Sequence, residues 1–326
     1  MNVNKVLVLF ILILTWSCSN NSKERWDIEV EPLTEDVVLK NVSKSYYNLE
    51  VSNAYLKNQF PEFFLNAPDS LLNERRRDEF SHTLNEEVNL IFKEESIQDS
   101  LQDIFVRLKH YYPTFELPQV YLFTGELDYQ NPVLYYPKTK EMVIGLDWFL
   151  GEKAEAYNQM NIPGYFRQQM NPADFKPKVV RSIADHMVNY DIRKRRFIEK
   201  MIYEGKLLIV QDALLPKTSD ALKIGYTQEQ IDWARTNEAN VYMYFTEQEL
   251  FYSDDKKLDA RFIDETPFSK FYADNDAETP GKIGAWMGWQ ICRVYLEKHE
   301  EITLQEFLAD EDYQAIFTAS GYKPTK

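Results

Sequence analysis

The apolar run Val6 to Leu14, preceded by the lone positive charge of Lys5, stops just short of Cys18. A run this short cannot span a hydrocarbon core, which takes about 20 apolar residues, but it has the length of the apolar part of a secretory leader. Thr15-Trp16-Ser17-Cys18 then places a small residue before a cysteine, the arrangement of a bacterial lipobox. The sequence therefore predicts a signal peptide over residues 1–17, lipid on Cys18 and a polar tether over 18–26. Residues 27–326 are left to build a single folded domain. The same reading limits how that domain can be held together. With Cys18 taken by lipid, Cys292 is the only other cysteine, so no disulfide framework is available. Stability has to come from burying side chains, and 21 Tyr with 20 Phe supply the material. The formal net charge of −15 excludes a nucleic-acid partner, because there is no basic surplus to displace counterions from phosphates.

Hydrophobic periodicity gives a mainly helical chain of α+β class with one small sheet before its central helices. Residues 27–52 read as extended, then helical from about Asn41. Residues 82–111 read as helix, with Val88, Ile91, Phe92, Ile97, Leu101, Ile104, Phe105 and Leu108 at helical spacing and Ser96 available to cap the second half. Val120–Phe123, Val133–Tyr136 and Met142–Gly145 read as strands. A helix is expected from Lys176-Pro177 to about Tyr190, and another over 193–214, bent near Gly205. Thr227 with Gln230 and Thr303 with Glu306 form capping boxes. Thr279-Pro280 reads as the start of a helix running through Glu297. Within it, Gly284 and Gly288 have the spacing of a close helix contact, Cys292 reads as a core residue, and Trp286 and Trp289 as core side chains.

A sheet followed by such a helix is also the layout of zinc peptidases. That chemistry needs two histidines four residues apart on one helical face, with a glutamate after the first to polarise the metal-bound water. Here Asp185 and Asn189 hold the ligand positions and His186 holds the position of the glutamate. Glu204 on the next helix stands where a third ligand would come. Asp185, His186, Asn189 and Glu204 therefore mark a vestigial metal site without its histidine pair or its base. No catalytic residue, metal or other cofactor is expected.

Longer, irregular stretches carry a resemblance. They include Met201-Ile202-Tyr203-Glu204-Gly205-Lys206-Leu207-Leu208, Ile224-Gly225-Tyr226-Thr227, Pro267-Phe268-Ser269-Lys270-Phe271 and Pro280-Gly281-Lys282-Ile283-Gly284. Together they resemble the GldB family, gliding-motility lipoproteins of Bacteroidetes, over nearly the whole chain after the leader. The resemblance implies an envelope lipoprotein tied to the gliding and type IX secretion machinery. It also implies a zincin-like domain, partners among the other proteins of that machinery, and membrane attachment through the lipid. Only the lipobox cysteine transfers residue by residue, onto Cys18. Asp69-Ser70-Leu71 and Asp99-Ser100-Leu101 look like the O-glycosylation tripeptide of exported Bacteroidetes proteins. Ser19 to Glu24 lack the acidic run that accompanies surface display, so a periplasm-facing anchor is expected. Two alternatives differ in class: a zinc-dependent hydrolase using His186 and Glu204, and an envelope module holding a peptide or glycan in a groove lined by Trp286, Trp289 or Tyr203.

Overall fold

The computed structural model describes residues 25–125, 130–189, 191 and 193–324; the leader, Cys18 and most of the tether lie outside the described residues. Four strands form one sheet: β1 (Leu39–Asn41), β2 (Gln119–Phe123), β3 (Val133–Tyr136) and β4 (Glu141–Gly145), in the order β1-β2-β4-β3. β1, β2 and β4 run parallel, and β3 returns antiparallel on β4 as the edge strand. Alternation along the central strands serves two cores. Val120, Leu122, Met142 and Ile144 face the main core. Tyr121, Phe123 and Val143 face a smaller cluster built by Tyr46, Leu56, Phe60 and Phe64 from the short N-terminal helices. Arg76, the middle of a basic triplet, is buried there and donates to the carbonyl oxygens of Tyr46, Asn48 and Val51.

The rest is helical, as expected for a mainly α member of the α+β class. The longer helices are α1 (Glu79–Ile91), α2 (Glu94–Tyr111), α3 (Phe175–Ala184), α4 (Phe197–Leu214), α5 (Gln228–Glu247), α6 (Ile283–Lys298) and α7 (Tyr313–Ser320). Both expected capping boxes form, at Thr227 before α5 and at Thr303 before the short helix Leu304–Ala309.

Four expected boundaries are corrected. The helix over 82–111 is two, because Phe92 turns extended and places its ring against Phe149 and Phe175; Lys93, not Ser96, precedes α2. The helix expected to reach Tyr190 ends at Ala184, and the chain tightens into a turn that leaves Asp185 and His186 exposed while burying Val188. α4, expected to be broken or bent near Gly205, runs unbroken through it. α6 begins at Ile283 and not at Pro280. The Thr279 hydroxyl lies 2.9 Å from the Ser269 carbonyl and 2.7 Å from that of Asp276, tying the preceding loop together instead of capping the helix.

α4 and α6 cross at the centre of the molecule with their backbones nearly touching. A Cβ on Gly288 would stand 1.8 Å from the Met201 carbonyl oxygen, and one on Gly205 would stand 2.4 Å from that of Gly288. Gly205 is therefore a contact residue, as Gly284 and Gly288 were expected to be. Glycine weakens a helix interior by roughly 0.5–1 kcal/mol, a cost offset here by the approach it permits. Arg25 and Trp26, read from sequence as the end of the tether, belong to the folded body. The Arg25 guanidinium donates to the carbonyls of Leu296, His299 and Ile302 at the C-terminal end of α6, where a cation is favoured.

Candidate functional site

α3 and α4 each turn a polar stripe toward a common cleft of about 390 Å³. On α3 the stripe is Lys178, Arg181 and Ser182, continued by Asp185 just past its end; the opposite face, Val179, Val180 and Ile183, enters the core. On α4 it is Glu204 and Gln211, two turns apart with the apolar Leu208 between them. The start of β3 closes one side of the cleft and the segment Ile263-Asp264-Glu265, with Lys282, another.

At one place in the cleft Arg181 binds two carboxylates. Its Nη1 is 2.9 Å from Glu204 Oε2, its Nη2 is 3.4 Å from Glu204 Oε1 and its Nε is 3.0 Å from Asp185 Oδ1. Burial works against the guanidinium, yet Glu204 and Asp185 outweigh it and raise the Arg181 pKa further above its ordinary value. Elsewhere in the cleft Lys282 pairs with Glu265 at 2.5 Å, and Gln169 Nε2 donates to the same carboxylate at 2.8 Å. Burial pushes the Glu265 carboxyl up, but Lys282 and Lys178 hold it below the usual range.

Lys178 differs from these. Its ammonium donates to Gln169 Oε1 at 2.8 Å and sits 4.8 Å from the centre of the Trp148 ring, both neutral partners. Among the described residues no carboxylate comes within ion-pair distance of it. Burial, with Lys282 nearby, lowers its pKa to about 8. At pH 8 roughly half of Lys178 is then the neutral amine, against well under 1% for an ordinary lysine. Lys178 is expected to be among the first lysines acylated by an amine-directed reagent at pH 8. Its rate is expected to rise to a plateau just above that pH, while those of ordinary lysines are still climbing. Peptide mapping by mass spectrometry checks this; a Lys178 rate still climbing at pH 10 would contradict it.

The residues expected to mark a metal site do not converge. Asp185 and Glu204 line the cleft, held by Arg181. The His186 ring instead stands edge-on to Tyr135, 5.7 Å away. Asn189 lies beyond the helix, and its carbonyl accepts from the Tyr313 hydroxyl at 3.1 Å. Among the described residues no group of three or more His, Cys, Asp or Glu side chains is placed to hold a metal ion. Nor do the tryptophans line a groove: Trp286 and Trp289 pack edge to face in the core. Cys292 is buried as expected, and burial pushes its thiol up to about 12, so it is no nucleophile at neutral pH.

A buried ionic network reaches the cleft wall at Lys223. Arg293 donates from Nε to Asp212 Oδ2 and from Nη2 to Asp212 Oδ1, each at 2.8 Å, and from Nη2 to Asp220 Oδ1 at 3.0 Å. Lys223 reaches Asp212 Oδ1 at 2.7 Å, and Trp289 Nε1 donates to Asp212 Oδ2 at 2.8 Å.

Against this geometry, the family described as gliding motility protein GldB matches residues 23–324, beginning two residues before the docked Arg25 and covering every element above. The chain belongs to the GldB family. No curated protein and no solved structure matches it at a significant level. In this GldB-family chain the cleft residues missed from sequence include Arg181, which holds Asp185 and Glu204. Lys178, Lys282 and Gln211 were missed as well. Two of them left a signal. Lys178 continues the polar stripe of Arg181 and Asp185 at helical spacing, and Gln211-Asp212 interrupts the otherwise apolar run Leu207 to Leu214. Lys282 left none, because its place beside Glu265 follows from the turn before α6.

Proposed function

We propose that this chain is a lipid-anchored, non-catalytic component of the gliding-motility apparatus, associated with type IX secretion, that acts by contact and not by bond cleavage. One observation supports the reading above the others. The two carboxylates nearest the expected metal position are already neutralised by the Arg181 guanidinium, a cation with no open coordination site and no exchangeable water. Metal-assisted hydrolysis needs three protein ligands and an open position, and no nucleophile paired with a base takes their place in the cleft. The docking of Arg25 and Trp26 favours anchoring through Cys18. It brings the root of the proposed tether to the body's surface beside the end of α6 and leaves the few residues 19–24 to reach a bilayer. A periplasm-facing position, with partners among the membrane-bound machinery, is part of the same proposal.

Cells deleted for the gene and complemented with variants test it. Cys18→Ser is expected to abolish spreading and surface-protein export and to move the chain to the soluble fraction. Glu204→Gln, which keeps an acceptor for Arg181 but removes the only glutamate available as a base or ligand on α4's cleft face, is expected to leave spreading intact. Loss of spreading in Glu204→Gln, with the protein folded and at normal level, together with stoichiometric zinc in the purified wild type, would overturn the non-catalytic reading.

A further inference from the structure

The sheet ends in an open edge at this cleft. Gly145 N donates to the Pro132 carbonyl, which fixes the phase of the β3–β4 ladder: Leu134 and Tyr136 exchange hydrogen bonds with β4, and the main chains of Val133 and Tyr135 point away from it. β3 is last in the sheet order, and no described residue pairs with those outward groups. Yet Val133 is only 7% exposed and lines the cleft, so its free main chain lies in a recess and not on open surface. A second unpaired group lies across the cleft. Gln211 is 3% exposed and lines the cleft, and its Oε1 has no partner among the described residues. An unmet buried acceptor costs about 1–3 kcal/mol unless something donates to it. Lys178 adds a desolvated cation: its ammonium donates to Gln169 Oε1 and lies over the Trp148 ring, and although Glu265 and Asp174 act on it from a distance, no described carboxylate is within ion-pair distance of it. Together these call for a ligand that offers repeated N–H and C=O groups to a strand edge, a further N–H to Gln211, and an anion to Lys178.

We propose that this cleft binds an extended peptide as an added strand on β3, with a peptide N–H donated to Gln211 Oε1 and a peptide carboxylate on Lys178. The idea rests on the reading that the site holds its ligand and does not cut it. Main-chain pairing at the edge supplies affinity without reading sequence, and the Lys178 pocket supplies selectivity. Arg181 is not free to bind the carboxylate, because Glu204 and Asp185 occupy it, and Lys282 is paired with Glu265. Asp264, also on the wall, disfavours a second acidic residue nearby. A chain terminus or an Asp or Glu side chain supplies the carboxylate; both present the same group to the amine. A glycan can offer hydroxyl donors and a carboxylate but cannot continue a β-ladder, which is why the edge strand selects a peptide.

The test uses the full chain in detergent and short fluorescein-labelled peptides of alternating threonine and valine, read by fluorescence anisotropy. One peptide has a free carboxyl terminus. A second is amidated with an internal Asp, a third is amidated with Asn in its place, and a fourth and fifth are the tightest binder N-methylated at alternate residues in one register or the other. The acidic peptides are expected to bind at least about tenfold tighter than the Asn peptide, and whichever of the two is tighter identifies the source of the carboxylate. N-methylation in one of the two registers is expected to abolish binding, since it removes the donors to β3. Lys178→Met is expected to erase the acidic preference while the protein keeps its melting temperature, and Gln211→Leu to weaken all peptides about tenfold. Equal binding of acidic and neutral peptides, indifference to N-methylation in both registers, or no binding up to about 1 mM would each overturn the proposal. Binding of an oligogalacturonate in place of the peptides would overturn it in favour of a glycan. Mass spectrometry of the recovered peptide separates the two readings: bound but cleaved peptide would sink the non-catalytic function and leave the groove standing.

Discussion

Gly288→Leu is expected to yield no folded protein, and Gly288→Ala to lower stability by more than about 4 kcal/mol, at the extreme of what single substitutions do. The reason is the crossing of α4 and α6. A β-carbon at 288 would stand 1.8 Å from the Met201 carbonyl oxygen, and the neighbouring contacts, 2.4 Å to the Met201 carbonyl carbon and 3.0 Å to its Cα, are also backbone. A clash with the tip of a flexible side chain relaxes by a rotamer change, but a clash with a helix backbone relaxes only if the helix moves. Moving α4 disturbs Met201, Ile202, Leu208 and Ile209 together, all of which it buries in the main core. Close packing leaves no slack to absorb that shift. Against a typical total of about 5–15 kcal/mol, the alanine variant would be marginal and the leucine variant unfolded. Thermal melts followed by circular dichroism measure this; an unchanged melting temperature in Gly288→Ala would refute the close crossing.

Asp212→Asn is expected to cost about 3–5 kcal/mol, the usual loss when one partner of a buried ion pair is removed. The asparagine keeps the shape and one acceptor but leaves the buried Lys223 without its carboxylate and Arg293 with Asp220 alone. The Trp289 indole loses its charged acceptor at the same time. The same carboxylate sets a pH dependence. Burial pushes the Asp212 carboxyl up, but Arg293 and Lys223 outweigh it and hold it below the usual carboxylate range. A depressed folded pKa means that the unfolded chain takes up protons first. The contribution of Asp212 is therefore complete above the ordinary Asp pKa of about 4 and fades as acid approaches the lower folded value. Denaturant melts from pH 7 down to pH 2 are expected to show the wild type losing this increment in acid while Asp212→Asn does not. Parallel pH profiles for the two proteins would contradict the assignment.

The sequence did not name the partners of either residue, and the reason is the same for both. Gly288 was visible as half of a small-residue spacing, but the helix it meets lies nearly ninety residues earlier at Met201, and nothing local names that partner. Asp212 is, with Gln211, a polar interruption in an apolar stretch of helix, and its partners Lys223, Trp289 and Arg293 come from two other helices. Local structure was legible where local chemistry decides it. The three strands follow from β-branched and aromatic runs between turn residues. The two capping boxes follow from a hydroxyl and a carboxyl or amide three residues apart. The stripe of α2 follows from helical spacing.

The candidate site divides along the same line. Asp185 and Glu204 were readable as neighbours on adjacent helices, and both line the cleft. That Arg181 grips them, that α3 stops before Asn189, and that β3 leaves its edge open toward Gln211 and Lys178 depend on where separate elements meet. The mainly helical α+β class, the family and the lack of a paired-histidine motif were legible along the chain, because periodicity and short spacings report on residues within a turn or two of each other. Which charges are paired and which polar groups are left waiting became visible once the elements were packed together. Burial and contact over tens to hundreds of residues set those, and the handful of side chains concerned are individually ordinary.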